Sequence, residues 1–334
     1  MTKTYIPKDY QPLLDSYRTQ TAIGFIKKIF EKQLEFRMNL KRVSAPLFVS
    51  VTSGLNDNLS GVEKPVSFHV PALDNEAEVV HSLAKWKRQA LHQYDFKVGN
   101  GLYTDMNAIR RDEVLDNTHS IYVDQWDWER IITKEDRTIP YLKKVVTDLV
   151  MCIASTHDAL KIKYPELQTT IDTNVSFVTS QQLEDLFPHM NGEEREQAYV
   201  KAHPTTFILQ IGAPLKSGKP HDGRAPDYDD WQLNGDLLFW HDTLGRAIEL
   251  SSMGIRVDKE AMLAQLKAAN EEGRLQYDFH QAVVEGRLPL TIGGGLGQSR
   301  MCMLLLGNAH IGEVQVSLWD EETINSCKGK VNLL

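Results

Sequence analysis

The chain has 334 residues, of which 42% are hydrophobic and 25% charged, and this profile is typical of a globular protein with a large core. Its formal net charge of -8 argues against a nucleic-acid-binding surface, which is usually basic, but allows a locally basic site for a small anion. No apolar run reaches the roughly 20 residues of a membrane span, and no signal peptide is evident. The odd number of cysteines suits a reducing compartment. We therefore expect a cytoplasmic protein that does not enter a membrane.

Residues 18–38 carry apolar side chains at helical spacing, among them Ile26, Phe30 and Leu34. They predict a long helix that leads into an extended strand over residues 43–49. Pro46 interrupts this strand and belongs at a strand start or a sheet edge, because proline has no N–H to donate. The same helical spacing predicts helices over residues 83–92, 141–160, 259–270 and 297–306.

Short apolar runs predict strands over residues 66–70, 121–123 with their flanks, 206–211, 236–240 and 313–319. Residues 216–230 are rich in Gly, Pro and Asp and predict a long loop, which in a compact domain is often functional. Because the strands lie far apart and are joined by irregular lengths, we expect a mostly antiparallel sheet flanked by helices, an α+β fold. No linker divides the chain, so we expect a single domain over residues 1–334.

A glycine-rich segment, residues 291–300, ends at Arg300 and opens an apolar helix. Glycines let the backbone approach a ligand closely, and an arginine in the first helical turn can reach an anion there. A dinucleotide fingerprint is excluded because Gln298 holds the third glycine position. The alternative is a plain glycine turn between a strand and a helix.

Strand periodicity from residue 121 places Gln125, Asp127 and Glu129 on one face, together with Ile121 and Val123. It places Tyr122, Asp124 and Trp126 on the other face. The polar face predicts groups on a pocket floor that read a substrate. The alternative is the solvated face of a hairpin, although exposed strands seldom carry two tryptophans, here Trp126 and Trp128.

Two carboxylates, Asp236 and Glu249, fall on apolar stretches that we expect to be neighbouring strands. Such a pair suits Mg²⁺, which takes oxygen ligands and is bridged by substrate phosphates. Arg256 can bind a carboxylate through two hydrogen bonds. The alternative is a structural ion pair between Glu249 and Arg256.

Two polar loops complete the candidate set. Residues 53–61 surround Asp57, for which an Asx turn is the alternative. Residues 224–231 combine three acids with Arg224, Tyr228 and Trp231, for which a solvated loop is the alternative.

Three segments resemble the motifs of class II aminoacyl-tRNA synthetases. The helix over residues 18–38 with the Pro46 strand is similar to the first motif, which forms that family's dimer interface. Residues 110–113, an arginine pair followed by two acids, are similar to the second motif, whose arginine binds the α-phosphate. Residues 293–300 are similar to the third, whose glycine strand and arginine hold ATP.

The resemblance narrows to the ammonia-dependent asparagine synthetases, through residues 81–88, 122–129, 224–231 and 249–256 in family order. It runs from about residue 5 to the C-terminus and is weakest over about residues 161–205 and after Trp231. It implies a class II synthetase-like sheet without an anticodon-binding domain, and a homodimer.

The implied reaction activates the β-carboxylate of L-aspartate with ATP as an adenylate, releases diphosphate, and then uses ammonia to displace AMP and form L-asparagine. By family resemblance Asp236 and Glu249 would hold Mg²⁺ with Ser252 nearby, and Arg110, Arg300 and Gly295 would contact ATP. The residues implied for the aspartate pocket are Asp57, Ser82, Lys87, Gln125, Asp127, Asp229 and Arg256.

Ammonium must lose a proton before it attacks, so a carboxylate near the acyl carbon should help. Both Asp57 and Asp229 stay open for this role.

An aspartyl-tRNA synthetase-like paralogue is the first alternative function, but it would need a basic or RNA-binding surface. A non-catalytic synthetase-like dimer is the second, but it would be expected to have lost some of Arg110, Asp236, Glu249 or Arg300. A glutamine-using enzyme would need a cysteine at position 2, where the chain has Thr2.

Overall fold

The computed structural model describes residues 4–57 and 63–334. The helices in these ranges are α1 Ser16–Arg37, α2 Ala84–Gln93, α3 Ile139–Lys163, α4 Ser180–Leu186, α5 Gly192–Ala202, α6 Lys259–Ala268, α7 Asp278–Val284, α8 Gln298–Leu306 and α9 Glu321–Cys327. The strands are β1 Leu40–Arg42, β2 Phe48–Ser50, β3 Ser67–Val70, β4 Asn75–Val79, β5 Gly101–Ile109, β6 Tyr122–Ile131, β7 Ser176–Thr179, β8 Thr205–Leu209, β9 Asp229–His241, β10 Arg246–Arg256 and β11 Thr291–Gly297. No helix in the described ranges is both long and apolar enough to cross a membrane.

One large sheet organises the fold, in the strand order β1-β5-β6-β11-β10-β9-β8-β7. The two outermost pairings, β1 with β5 and β7 with β8, are parallel, and the five between them are antiparallel. Strands β2, β4 and β3 form a second, antiparallel sheet. The predicted α+β fold with a mostly antiparallel sheet is confirmed.

The main core lies between the large sheet and the long helices α1 and α3. Trp126 and Trp128 of β6 are fully buried in it, and the ring centroid of Trp126 lies 4.6 Å from that of Phe30 in α1. Because side chains alternate along a strand, Gln125, Asp127 and Glu129 point to the opposite face. The burial of the tryptophans therefore leaves the polar side of β6 to line a site.

Two strand predictions were wrong. Residues 313–319 are not a strand, since residues Ile311–Glu313 form a 3-10 turn and the side chain of Gln315 is bound by hydrogen bonds to Asp124 and Ser299 at 3.0 Å. The expected strand over residues 43–49 is largely absent, because residues 43–47 connect β1 of the large sheet to β2 of the second sheet, and Pro46 lies in this connection. A proline cannot donate to a ladder, so the connection avoids the loss of a strand hydrogen bond.

Candidate active site

A cleft with a volume of about 440 Å³ lies over the central strands, and it collects nearly all of the predicted site residues. Two predicted residues are absent from its walls. Glu129 lies buried behind Arg256 and Lys87, and Asp236 lies in a neighbouring cavity of about 370 Å³ that shares Glu249 with the cleft. The predicted residues that line the cleft are Asp57, Ser82, Lys87, Arg110, Gln125, Asp127, Asp229, Glu249, Ser252, Arg256, Gly295 and Arg300.

Sheet register explains how positions so far apart in sequence meet. Asp127 in β6 pairs with Gly295 in β11, Gly295 pairs with Ser252 in β10, and Ser252 pairs with Asp236 in β9. These four residues form one row across four strands, and neighbouring strands lie about 4.8 Å apart. The register therefore brings the carboxylate pair, the glycine strand and the polar face of β6 to one level of the cleft.

The glycine-rich segment is strand β11 followed directly by α8, and not a turn between them. A Cβ atom at Gly295 would overlap the amide of Gln125, and a Cβ atom at Gly293 would overlap the carboxylate of Glu129. The two glycines therefore let these side chains from β6 lie across β11.

The deep end of the cleft holds a buried network of charges. The ammonium group of Lys87 pairs with Asp127, lies 3.7 Å from Glu129 and donates to the Trp128 carbonyl at 2.9 Å. Burial lowers the pKa of Lys87, although Asp127 opposes this shift. Burial also acts to raise the pKa of Glu129, but Arg256 and Lys87 hold it below its usual value.

Arg256 is held by two carboxylates at this end. Its Nε donates to both Glu129 oxygens at 3.2 and 3.1 Å, its Nη2 donates to Glu129 at 2.9 Å, and its Nη1 donates to Asp229. Burial raises the pKa of Asp229, although Arg256 opposes the shift. The alternative of a Glu249–Arg256 ion pair is wrong, because β10 directs the two side chains to different partners.

Two arginines mark the other end of the cleft. Arg300 donates from Nε to the Thr118 carbonyl at 3.2 Å and from Nη1 to the Glu249 carbonyl at 3.0 Å. The Nε of Arg110 is buried and has no hydrogen-bond partner among the described residues. These guanidinium groups provide positive charge for an anion at this end.

The start of α8 already holds an anion from the protein. The carboxylate of Asp124 accepts from the Ser299 backbone N–H at 3.1 Å and from the Ser299 hydroxyl at 2.9 Å. Lys27 of α1 lies 3.5 Å from the same carboxylate. Asp124 therefore occupies the position at the helix N-terminus where a ligand anion was expected. The side chain of Arg300 remains as the group of α8 that can reach a ligand anion.

Asp236 lies in the middle of β9, not at its start, and is paired with Arg224. Burial raises its pKa to about 8, and Arg224 opposes this effect. Its Oδ1 is buried without a hydrogen-bond partner in the described part of the chain, and Glu249 contributes to the same cavity. An orphaned buried carboxylate oxygen beside a second carboxylate suits a hard cation with phosphate and water ligands. No group of three or more His, Cys, Asp or Glu residues in the described ranges has the geometry of a complete metal site.

The two polar loops reach the cleft as predicted. Asp57 is buried and its carbonyl lies 3.1 Å from Nδ1 of His81, while residues 58–61 of its loop lie outside the described ranges. The loop over residues 224–231 is buried rather than solvated. Asp227 pairs there with Lys85 at 3.2 Å and with His280 and Arg274 at 2.9 Å.

Sequence reasoning missed several groups near the cleft. The roles of Arg224 and Asp227 were not assigned, although both lie in a segment selected for its clustered charges. His119, His221 and Asp222 line the neighbouring cavity, and no local pattern in the sequence singled them out.

The chain matches known proteins over nearly all of its length. The family model described as aspartate-ammonia ligase matches residues 17–331. The aspartate–ammonia ligase of Clostridium tetani is 58% identical, covering 97% of this chain and 96% of that protein, and the one of Lactobacillus johnsonii is 56% identical with 97% coverage of both.

Solved structures of asparaginyl-tRNA synthetases share the fold of this chain. The asparaginyl-tRNA synthetase of Pyrococcus horikoshii complexed with asparaginyl-adenylate superposes with a TM-score of 0.67 at 13% identity, covering 90% of this chain and 68% of that chain. The Entamoeba histolytica asparaginyl-tRNA synthetase with the same adenylate gives 0.65 at 13% identity, over 90% and 66% of the two chains. The fold is that of class II synthetase catalytic cores. Because the family model matches nearly the whole chain and the relatives are more than half identical to it, the chain belongs to the aspartate–ammonia ligase family.

Proposed function

We propose that this chain forms L-asparagine from L-aspartate, ammonia and ATP through a β-aspartyl-AMP intermediate, with AMP and diphosphate as the other products. One observation carries the proposal: a single cleft joins a buried cation pair, Lys87 and Arg256, to a separate arginine pair, Arg110 and Arg300. The first pair suits the carboxylates of a small amino acid, and the second suits phosphates. The family of the chain and the adenylate in the two synthetase structures support the same chemistry.

Adenylate formation requires positioning more than a protein nucleophile. The β-carboxylate of aspartate itself attacks the α-phosphorus, so the protein must hold two anions together and offset the charge that develops on the phosphate. Arg110 and Arg300 are the groups proposed for this role. Gly295 is proposed to contact ATP as well, in the part of β11 that the Gln125 amide crosses.

Mg²⁺ is proposed as the metal of the reaction, bound by Asp236 and Glu249 with Ser252 nearby. The unpartnered Oδ1 of Asp236 supports this assignment. When bound, the ion would neutralise phosphate charge. Arg224 already neutralises one oxygen of Asp236, which keeps a second oxygen for the ion.

The aspartate pocket is proposed at the deep end of the cleft. Lys87 and Arg256 would attract the substrate carboxylates, and the surrounding acids would hold its ammonium group. The proposed lining residues are Asp57, Ser82, Lys87, Gln125, Asp127, Asp229 and Arg256, all of which contribute to the cleft. Asp57 and Asp229 both line the cleft, and both stay candidates for the deprotonation of ammonium.

An isotope experiment tests the reaction. With aspartate carrying oxygen-18 in its β-carboxylate, we expect the label in AMP and none in diphosphate, because the attacking oxygen leaves with the α-phosphorus. Mass spectrometry of the products measures this. Label in orthophosphate, or ADP as the co-product, would show an acyl-phosphate route and contradict the adenylate.

A second experiment tests the nitrogen donor. Parallel reactions receive ammonium chloride or ammonia-free glutamine, and we expect turnover with ammonium alone.

We further infer that residues 1–334 act as one catalytic domain and that two copies form a homodimer. Helix α1 resembles the dimer motif and leaves Tyr17 and Phe36 exposed, at 83% and 89% of their surface. Two-fold interfaces of stable dimers often bury about 2,000 Å² or more. Sedimentation at micromolar concentration is expected to give twice the 38.0 kDa chain mass. Phe36→Asp should shift the equilibrium towards the monomer, and a monomer in the unmodified protein would contradict the inference.

A further inference from the structure

The segment between β10 and β11, which contains α6 and α7, has a small core of its own and also contacts the wall of the cleft. Met262 and Leu266 of α6 pack in that core with Phe279 of α7. Gln265 of α6 is buried as well, but its amide bonds to the loop over residues 224–231. The proposed chemistry does not use this side chain.

The amide of Gln265 makes three hydrogen bonds to the backbone of that loop. Its Nε2 donates to the carbonyls of Pro226 at 3.0 Å and Asp229 at 2.9 Å. Its Oε1 accepts from the backbone N–H of Trp231 at 2.9 Å. The loop thus presents two acceptors and one donor to a single side chain. A primary amide matches this set, whereas a carboxylate can only accept and an ammonium group can only donate.

The three bonded backbone atoms bracket the part of the loop that faces the cleft. Tyr228 and Asp229 line the cleft, while Asp227 and Trp231 do not. The carboxylate of Asp229 accepts from Nη1 of Arg256, and the guanidinium carbon of Arg256 lies 5.7 Å from the ring centroid of Tyr228. The amide bonds therefore hold the backbone that brings both side chains to Arg256.

Helix α6 is tied to the end of β10, which carries Arg256. Two residues separate Arg256 from the first residue of α6. Asp258 caps the helix, and the guanidinium of Arg137 lies 3.0 Å from Asp258 and donates to the carbonyl of Arg256. Because the helix is held on this strand, Gln265 couples the backbone of Asp229 to the position of Arg256.

We propose that Gln265 is a positioning residue of the aspartate pocket, which holds Asp229 in place against Arg256 and thereby sets the affinity for aspartate. This rests on the proposed function, in which both residues line that pocket. A displaced Asp229 would no longer meet the polar groups of the substrate, and a misplacement of about 1 Å can cost about 10²-fold. The arginines proposed for ATP lie at the other end of the cleft, so binding of ATP should not depend on the amide.

The experiment measures aspartate-dependent exchange of labelled diphosphate into ATP without any nitrogen donor, which reports adenylate formation alone. Gln265→Glu keeps the size of the side chain and the acceptor for Trp231, but it turns a carboxylate oxygen towards two carbonyls. Gln265→Met removes all three hydrogen bonds without adding charge. The KM for aspartate and the KM for ATP are determined separately for each variant.

Two control variants separate positioning from charge and from stability. Gln281→Glu makes the same chemical change at an exposed position of α7. Leu266→Ala opens a cavity in the small core next to Gln265, so it should lower the thermal midpoint while the three loop contacts stay in place.

We expect the KM for aspartate to rise about tenfold or more in both Gln265 variants, because buried backbone groups lose their partners and the pocket shifts. The KM for ATP and the exchange rate at saturating aspartate should stay within about threefold of the unmodified protein, as for loss of substrate binding alone. Both controls should keep the KM for aspartate within about twofold.

An unchanged KM for aspartate, an equal rise in the KM for ATP, or an equal rise in Leu266→Ala would overturn the proposal. Should Gln265→Glu fail to fold, Gln265→Met decides. Absence of exchange in the unmodified protein would instead refute the proposed function.

Discussion

Replacement of Arg300 by alanine is expected to lower kcat by about 10²–10³, the usual effect of removing one group that stabilises transition-state charge. Two hydrogen bonds to backbone carbonyls, at 3.2 and 3.0 Å, hold its guanidinium group in place before any substrate arrives. An alanine cannot offset charge on the phosphate, while the burial of α8 against the sheet does not depend on this side chain. The helix should therefore remain folded.

Steady-state kinetics with saturating aspartate and ammonium measure this effect, together with diphosphate exchange to isolate the first step. Arg287→Ala is the control, because Arg287 forms a surface ion pair with Glu285 at 2.7 Å. Near-normal turnover of Arg300→Ala would assign a structural role to the end of the glycine segment. Arg110→Ala should lose activity to a similar extent, since its guanidinium lines the same end of the cleft.

Replacement of Arg256 by methionine is expected to destabilise the fold by about 3–5 kcal/mol, the usual cost of leaving buried charges without their partner. Asp229 would lose its ion pair with Arg256, and Glu129 would keep the longer pair with Lys87, at 3.7 Å. Both carboxylates are buried, so neither can be stabilised by solvent. Binding of aspartate should be lost as well.

Urea unfolding at a fixed protein concentration checks the prediction through the midpoint and the slope of the transition. Arg287→Met is the control, since breaking an exposed ion pair typically changes stability by less than about 1 kcal/mol. A midpoint for Arg256→Met as high as that of the control would mean that the two carboxylates are neutral in the folded protein.

Local patterns in the sequence predicted much of the site. The glycine run, the alternation in β6 and the clustered acids of the 224–231 loop all identified residues that the fold brings to one cleft. These signals are local, because backbone approach, strand alternation and turn chemistry act over a few neighbouring residues.

Long-range pairing could not be predicted in the same way. Nothing near Arg256 indicates that it pairs with Glu129, 127 positions away, rather than with Glu249. The strand predicted over residues 313–319 failed for a related reason, because its apolar alternation has no neighbouring strand to pair with in the described fold. His221 was missed since its partner, Glu196, belongs to a different element.

The contact between Asp124 and the start of α8 has a consequence for the cost of binding the nucleotide. In the first turn of this helix, the backbone N–H and the hydroxyl of Ser299 already donate to a carboxylate from β6, so these two groups do not depend on a phosphate for a partner. ATP therefore meets a preorganised surface and loses little affinity to ordering of the protein. Amide hydrogens in α8 should accordingly exchange with solvent at nearly the same slow rate before and after ATP is added.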